Sequence, residues 1–244
     1  MLCVAQERLL GQALVTDTQL QLRQLADNSL ALKLGAANDI ALSTSGFAEG
    51  KGLRDDQPLT TEALQLPGGA QALWVRFGLD DGAGGVRAVA VLLSRGASSA
   101  WTMSREWTAS SGALGELGFK RETQKFLADA TGAITRTFRN LSVEGVLHKL
   151  DCGCSACQSR TTEIEESEVV RWNPATRAFD SIQHEKWYIA QAGENLMVAV
   201  RKALGDARLI NRVAKLNPEL KDAAIFTGGE HVLVLRDQIS NSKE

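Results

Sequence analysis

The chain has 244 residues, 44% of them hydrophobic and 23% charged, an ordinary globular composition that suits one large domain or two smaller ones. Its 27 basic side chains are balanced by 29 acidic ones. With no local Lys/Arg run there is no positive field to hold a polyanion, so nucleic acid is not an expected partner. No apolar run approaches the roughly eighteen residues that a membrane-spanning helix needs, and no membrane span is expected in this chain.

Met1 to Gln6 reads as a true start or as the end of a secretory leader whose apolar stretch lies upstream. Residues 1–28 are therefore expected to be an N-terminal helix or a leader remnant. From residue 5 to about 27, Leu9, Leu10, Ala13, Leu14, Leu20, Leu22 and Leu25 stand among polar residues. That spacing predicts an amphipathic helix broken near Thr16-Asp17-Thr18.

Residues 29–182 alternate short apolar runs with turn signals and predict a mostly β domain of unknown function. Ala72 to Leu79 and Val86 to Leu93 flank an Asp/Gly-rich turn and predict a hairpin. Two more hairpins are expected at Asp129 to Gly132 and at Asn173 to Thr176. Gly46 to Pro67 has few apolar residues and reads as a long surface loop. Trp74, Trp101, Trp107 and Trp172 are expected to pack and not to form a ligand platform. Glu163, Glu165, Glu166 and Glu168 are expected to form the solvated face of a strand, without acid/base roles.

Cys152, Cys154 and Cys157 lie within six residues, with His148 upstream. They form either a nominal four-ligand zinc set or, in an oxidising compartment, disulfide candidates. A bridge from Cys157 to Cys154 or Cys152 fits better than one between Cys152 and Cys154, since near neighbours rarely reach disulfide geometry. Free or redox-active thiols are the third option, although the strand-like flanks do not supply the helix start that lowers a thiol pKa. The Asp80 to Gly85 run has two adjacent carboxylates, fewer than a calcium site needs, and reads as a turn. No Gly-x-Ser-x-Gly, Cys/His nucleophile signature, phosphate loop or dinucleotide fingerprint occurs, so nothing points to an enzyme and no cofactor is expected.

The final segment predicts a strand at Trp187 to Ala190, a turn at Gly193, and a helix from Asn195 to Leu204. A second helix is expected from Ala207 to Leu216, with a closing strand at Val232 to Leu235. Gly205 suits a left-handed helix end, Asp206 can cap the next start, and Asn217-Pro218 stops the second helix. Periodicity nominates Leu196, Val200, Val213, Leu216, Val232 and Val234 as its core.

Tyr188, Gly193-Glu194-Asn195-Leu196, Leu216-Asn217-Pro218, Ile225, Thr227-Gly228-Gly229 and Val232 to Leu235 together resemble the lysin-motif (LysM) family. The resemblance implies a small βααβ module over residues 186–237 that binds peptidoglycan or another N-acetylglucosamine-containing glycan. It places the shallow groove of such a module at Gly193, Glu194, Asn195, Leu196, Asn217, Leu220 and Ile225. Glu194 and Asn195 stand where the family usually has Asp and Thr, and Thr227-Gly228-Gly229-Glu230 replaces Pro-Gly-Gln. The expected protein is thus an α+β, non-catalytic component of a bacterial cell envelope, periplasmic or envelope-associated, possessing a glycan partner and open to an envelope protein partner. The alternative is a structural protein of a secretion or phage-tail assembly whose module docks onto protein.

Overall fold

The computed structural model describes residues 7–43, 52–80, 85–96, 100–114, 118–129, 131–144, 160–220 and 225–238. A four-stranded antiparallel sheet is formed by β1 (Arg8–Val15), β2 (Thr18–Gln24), β3 (Leu30–Leu34) and β4 (Ile40–Ala41), in that order. A nine-stranded sheet follows in the order of the chain. Its strands are β5 (Thr60–Gln65), β6 (Gln71–Asp80), β7 (Val86–Arg95), β8 (Thr102–Leu114), β9 (Gly118–Ala128), β10 (Ala133–Glu144), β11 (Arg160–Asn173), β12 (Ala178–Ile189) and β13 (His231–Gln238). Between β12 and β13 lie the two short helices α1 (Leu196–Leu204) and α2 (Ile210–Leu216), the latter preceded by a 3-10 turn at Ala207–Leu209.

Strand accounts for 60% of the structure and helix for 13%, so the chain is mostly β and the expected α+β class is corrected. Two elements of that expectation change. The predicted leading helix is the β1–β2 hairpin, turning at Thr16 and Asp17 between the paired Val15 and Thr18. Leu20, Leu22 and Gln24 are all buried, a period of two that a helix would scatter over opposite faces. The second change concerns the C-terminus, where no separate small βααβ module stands apart. β12 begins at Ala178, well before Trp187, and residues 182–186 lie inside it. β12 and β13 are the last two strands of the nine-stranded sheet.

The three expected hairpins are the β6–β7, β9–β10 and β11–β12 pairs. At the last, Asn173 Oδ1 accepts from the backbone N–H groups of Ala175 and Thr176, 2.9 and 3.4 Å away, which closes the turn locally. Trp74 and Trp107 are buried, with ring centroids 6.4 Å apart, and Trp172 packs edge-on to Phe179 at 5.4 Å. Along β11 the acids alternate faces: Glu163 pairs with Arg139, and Glu166 lies 3.2 Å from the Lys186 ammonium.

The chain divides into two compact units. The first is Met1–Ser110 with Ala130–Gly132 and Trp172–Phe179, and the second is Ser111–Asp129, Ala133–Arg171 and Asp180–Glu244. The core of the first is aliphatic and aromatic, with Leu20, Leu22, Leu30 and Leu32 from the small sheet against Leu73, Val75, Val91 and Leu93 from β6 and β7. The core of the second gathers Tyr188, Ala190, Leu196, Ala199, Val200, Val213, Phe226, Val232 and Val234 around the helices. Among the described residues, no helix is long and apolar enough to cross a membrane.

Candidate functional site

A buried polar side chain is more informative than an exposed apolar one, because its desolvation must be compensated. Glu194 and Asn217 are two such residues, 8% and 1% exposed, and both belong to the segment between β12 and β13. Each is held by the fold. The Glu194 carboxylate accepts from the Tyr188 hydroxyl at 2.8 Å and from the Gln191 N–H at 3.0 Å, and the Lys202 ammonium lies 2.5 Å away. Burial pushes its pKa up, but the Lys202 ammonium, the Gln191 N–H and the Tyr188 hydroxyl outweigh it and hold the carboxyl below its ordinary range. The Tyr188 hydroxyl is shifted upward, first by burial and then by the Glu194 carboxylate to which it donates a hydrogen bond.

Asn217 joins three backbone groups. Its Nδ2 donates to the carbonyls of Val213 and Leu233 at 2.7 and 2.8 Å, and its Oδ1 accepts from the Leu233 N–H at 2.8 Å. The side chain therefore ties the end of α2 to β13. Asn195 caps α1, its Oδ1 accepting from the Val198 N–H at 3.0 Å, and Gly205 ends the helix in the left-handed region with φ of 74°.

The loop after β12 and the loop before β13 are stitched together by backbone hydrogen bonds. Gly193 donates to the Phe226 carbonyl at 2.9 Å, and Phe226 donates back to Glu194 at 2.7 Å. Ala190 donates to Glu230 at 2.9 Å, and Gly229 donates to Ala190 at 2.8 Å. The close approach needs Gly228, with φ of 105°, because a Cβ there would meet the Ala192 backbone nitrogen at 3.1 Å. The Glu230 carboxylate gathers the Thr227 N–H and hydroxyl and the Gly228 N–H at 2.7 Å each. Those donors, the Thr227 hydroxyl first, draw its pKa down to about 2. Met197, in the first turn of α1, is 52% exposed, and Ile225, in the loop before β13, is 66% exposed.

Of the seven residues nominated for a glycan groove, Gly193, Glu194, Asn195 and Ile225 come together on these loops. Leu196 is buried in the core, Leu220 packs against it and Asn217 is enclosed. Five of the six core candidates are in that cluster, while Leu216 is half-buried. Sequence reasoning missed Lys202 and Met197. Lys202 lies in the last turn of α1, beyond the i, i+3 and i, i+4 spacings from which a side-chain pair can be read, so neither its contact with Glu194 nor the outward turn of Met197 was legible.

His148, Cys152, Cys154 and Cys157 lie outside the described residues. Among the described residues no group of three or more His, Cys, Asp or Glu side chains is placed to hold a metal ion. No family model, curated protein or solved structure matches the chain.

Proposed function

We propose that this is a non-catalytic, cell-envelope-associated bacterial protein that binds peptidoglycan or a related N-acetylglucosamine-containing glycan through the paired loops around Gly193 and Ile225. The observation that carries the reading is the lysin-motif sequence pattern, whose Gly193 to Asn195 and Ile225 positions fall on two loops joined by hydrogen bonds. The Glu194 carboxylate and the Asn195 Oδ1 are engaged internally, so sugar contact rests on the exposed Met197 and Ile225, on the Asn195 amide nitrogen and on backbone groups of the loops. Apolar side chains of this kind cover a pyranose face, and backbone N–H and C=O groups serve an acetamide.

Sedimentation of the full chain with purified peptidoglycan tests this. Wild type is expected in the pellet, and Met197→Ser with Ile225→Ser is expected to weaken retention by about tenfold while leaving stability within about 0.5 kcal/mol, as for exposed positions. Retention unchanged by the double substitution would place the glycan contact elsewhere.

One observation favours a second reading, in which the same surface docks onto protein within a secretion or phage-tail assembly. The Glu194 carboxylate and the Asn217 amide are buried and bonded inside the fold, and the exposed Met197 and Ile225 are apolar. Failure of wild type to sediment with peptidoglycan, in protein that is folded, would favour this reading.

A further inference from the structure

The first unit contains a cavity of about 280 Å³ whose wall includes Thr16, Asp17, Gln65, Gln71, Arg95 and Trp101. Arg95 is held in place without being neutralised. Its Nε and Nη2 donate to Gln71 Oε1 at 2.9 and 2.6 Å, and its guanidinium carbon lies 4.7 Å from the Trp101 ring centroid. An amide and an aromatic ring orient the fork but carry no countercharge, and Nη1 makes no hydrogen bond among the described residues.

Asp17 stands on the same wall at the tip of the β1–β2 turn, and its carboxylate has no hydrogen bond or ion pair among the described residues. The turn that presents it is strained. Thr16 has φ of 54°, and a β-branched residue in the left-handed region is an outlier that the sequence could have relieved with Gly or Asn. Strain of this kind is concentrated at ligand-binding positions.

Among the described residues, a guanidinium without a countercharge and a carboxylate without a hydrogen bond or ion pair thus share one concavity with an aromatic flank. Arg95 and Asp17 are both exposed to solvent; a single Arg and a single Asp are too few for a polyphosphate or a metal ion, and a neutral ligand would use neither charge. The volume lies just below the usual range of ligand pockets, which suits a small ligand. We propose that this cavity binds a small zwitterion, a free amino acid or a dipeptide, with its carboxylate on Arg95 and its ammonium on Asp17. The site is independent of the glycan reading of the C-terminal loops.

Calorimetric titration of the full chain with the dipeptide alanyl-alanine, its N-acetyl derivative and its C-terminal amide tests the assignment. Saturable binding of the dipeptide is expected, weakened at least about tenfold by either acetylation or amidation, as loss of a charge-assisted hydrogen bond requires. Arg95→Gln should bind dipeptide and amide alike, and Asp17→Asn should bind dipeptide and N-acetyl dipeptide alike, with circular dichroism showing both variants folded. Absence of saturable binding by wild type, indifference of wild type to both blocking groups, or wild-type affinity and selectivity in both variants would each overturn the proposal.

Discussion

The N-terminal core and the C-terminal helix pair are held by different kinds of contact. Around β2, β3, β6 and β7 the buried cluster is made of Leu, Val and Phe. The cluster around α1 and α2 is of similar character, but whereas the enclosed Gln24 and Ser94 side chains of the first unit each bond to one nearby side chain, here Asn217 bridges α2 to β13 and Glu194 joins Tyr188, Gln191 and Lys202. A short helix pair has little apolar surface to bury, and directional bonds fix what area alone leaves loose. The difference teaches that polar residues forming a recognisable sequence signature can be retained by the fold before any ligand is considered.

The largest effect expected from this contrast is in the first unit. Leu32→Ala removes a fully buried side chain and should cost about 2–5 kcal/mol through lost transfer energy and a residual cavity, read as a shift in the urea midpoint. Asn217→Ala should come next. It leaves the Leu233 N–H and the carbonyls it served without their partner, at about 1–3 kcal/mol for a buried group left unsatisfied. If it cost no more than an exposed substitution, the contrast between the two regions would fail.

The smallest effect is the pH dependence of Glu194. Its folded pKa lies below the ordinary 4.5, so its contribution is complete above that value and is lost as pH falls through the folded one. Urea midpoints should therefore fall more steeply in wild type than in Glu194→Gln on acidification below about pH 5. Parallel curves would show that the carboxylate has no more protection folded than unfolded.

Much of the strand pattern was legible because short apolar runs and turn chemistry agree, as in Val86 to Leu93 opposite Ala72 to Leu79, two near-continuous apolar strands on either side of an Asp/Gly-rich turn. The N-terminal hairpin was misread because Leu9, Leu10, Ala13 and Leu14 happen to fit a helical spacing. The decisive alternation of Leu20 and Leu22 lies beyond the turn. At the C-terminus, caps and stops were readable from Asn195, Gly205 and Pro218, since each acts through its own backbone. The inward direction of Glu194 and Asn217 was not, because it depends on Lys202, Tyr188 and Leu233, partners that only the folded chain brings near.

The order of the nine-stranded sheet also has a consequence for biosynthesis. Because β5 to β12 each lie beside their neighbours in the chain, they can zip one after another as they leave the ribosome, with little loop entropy to overcome at each step. β13 is different, since residues 190–230 must emerge before it can pair. Until then β12 is an open edge, and an unpaired strand edge invites other chains. Asp180, Glu185 and Lys186 lie along that strand, and charges so placed discourage premature partners while the nascent protein waits for its last strand.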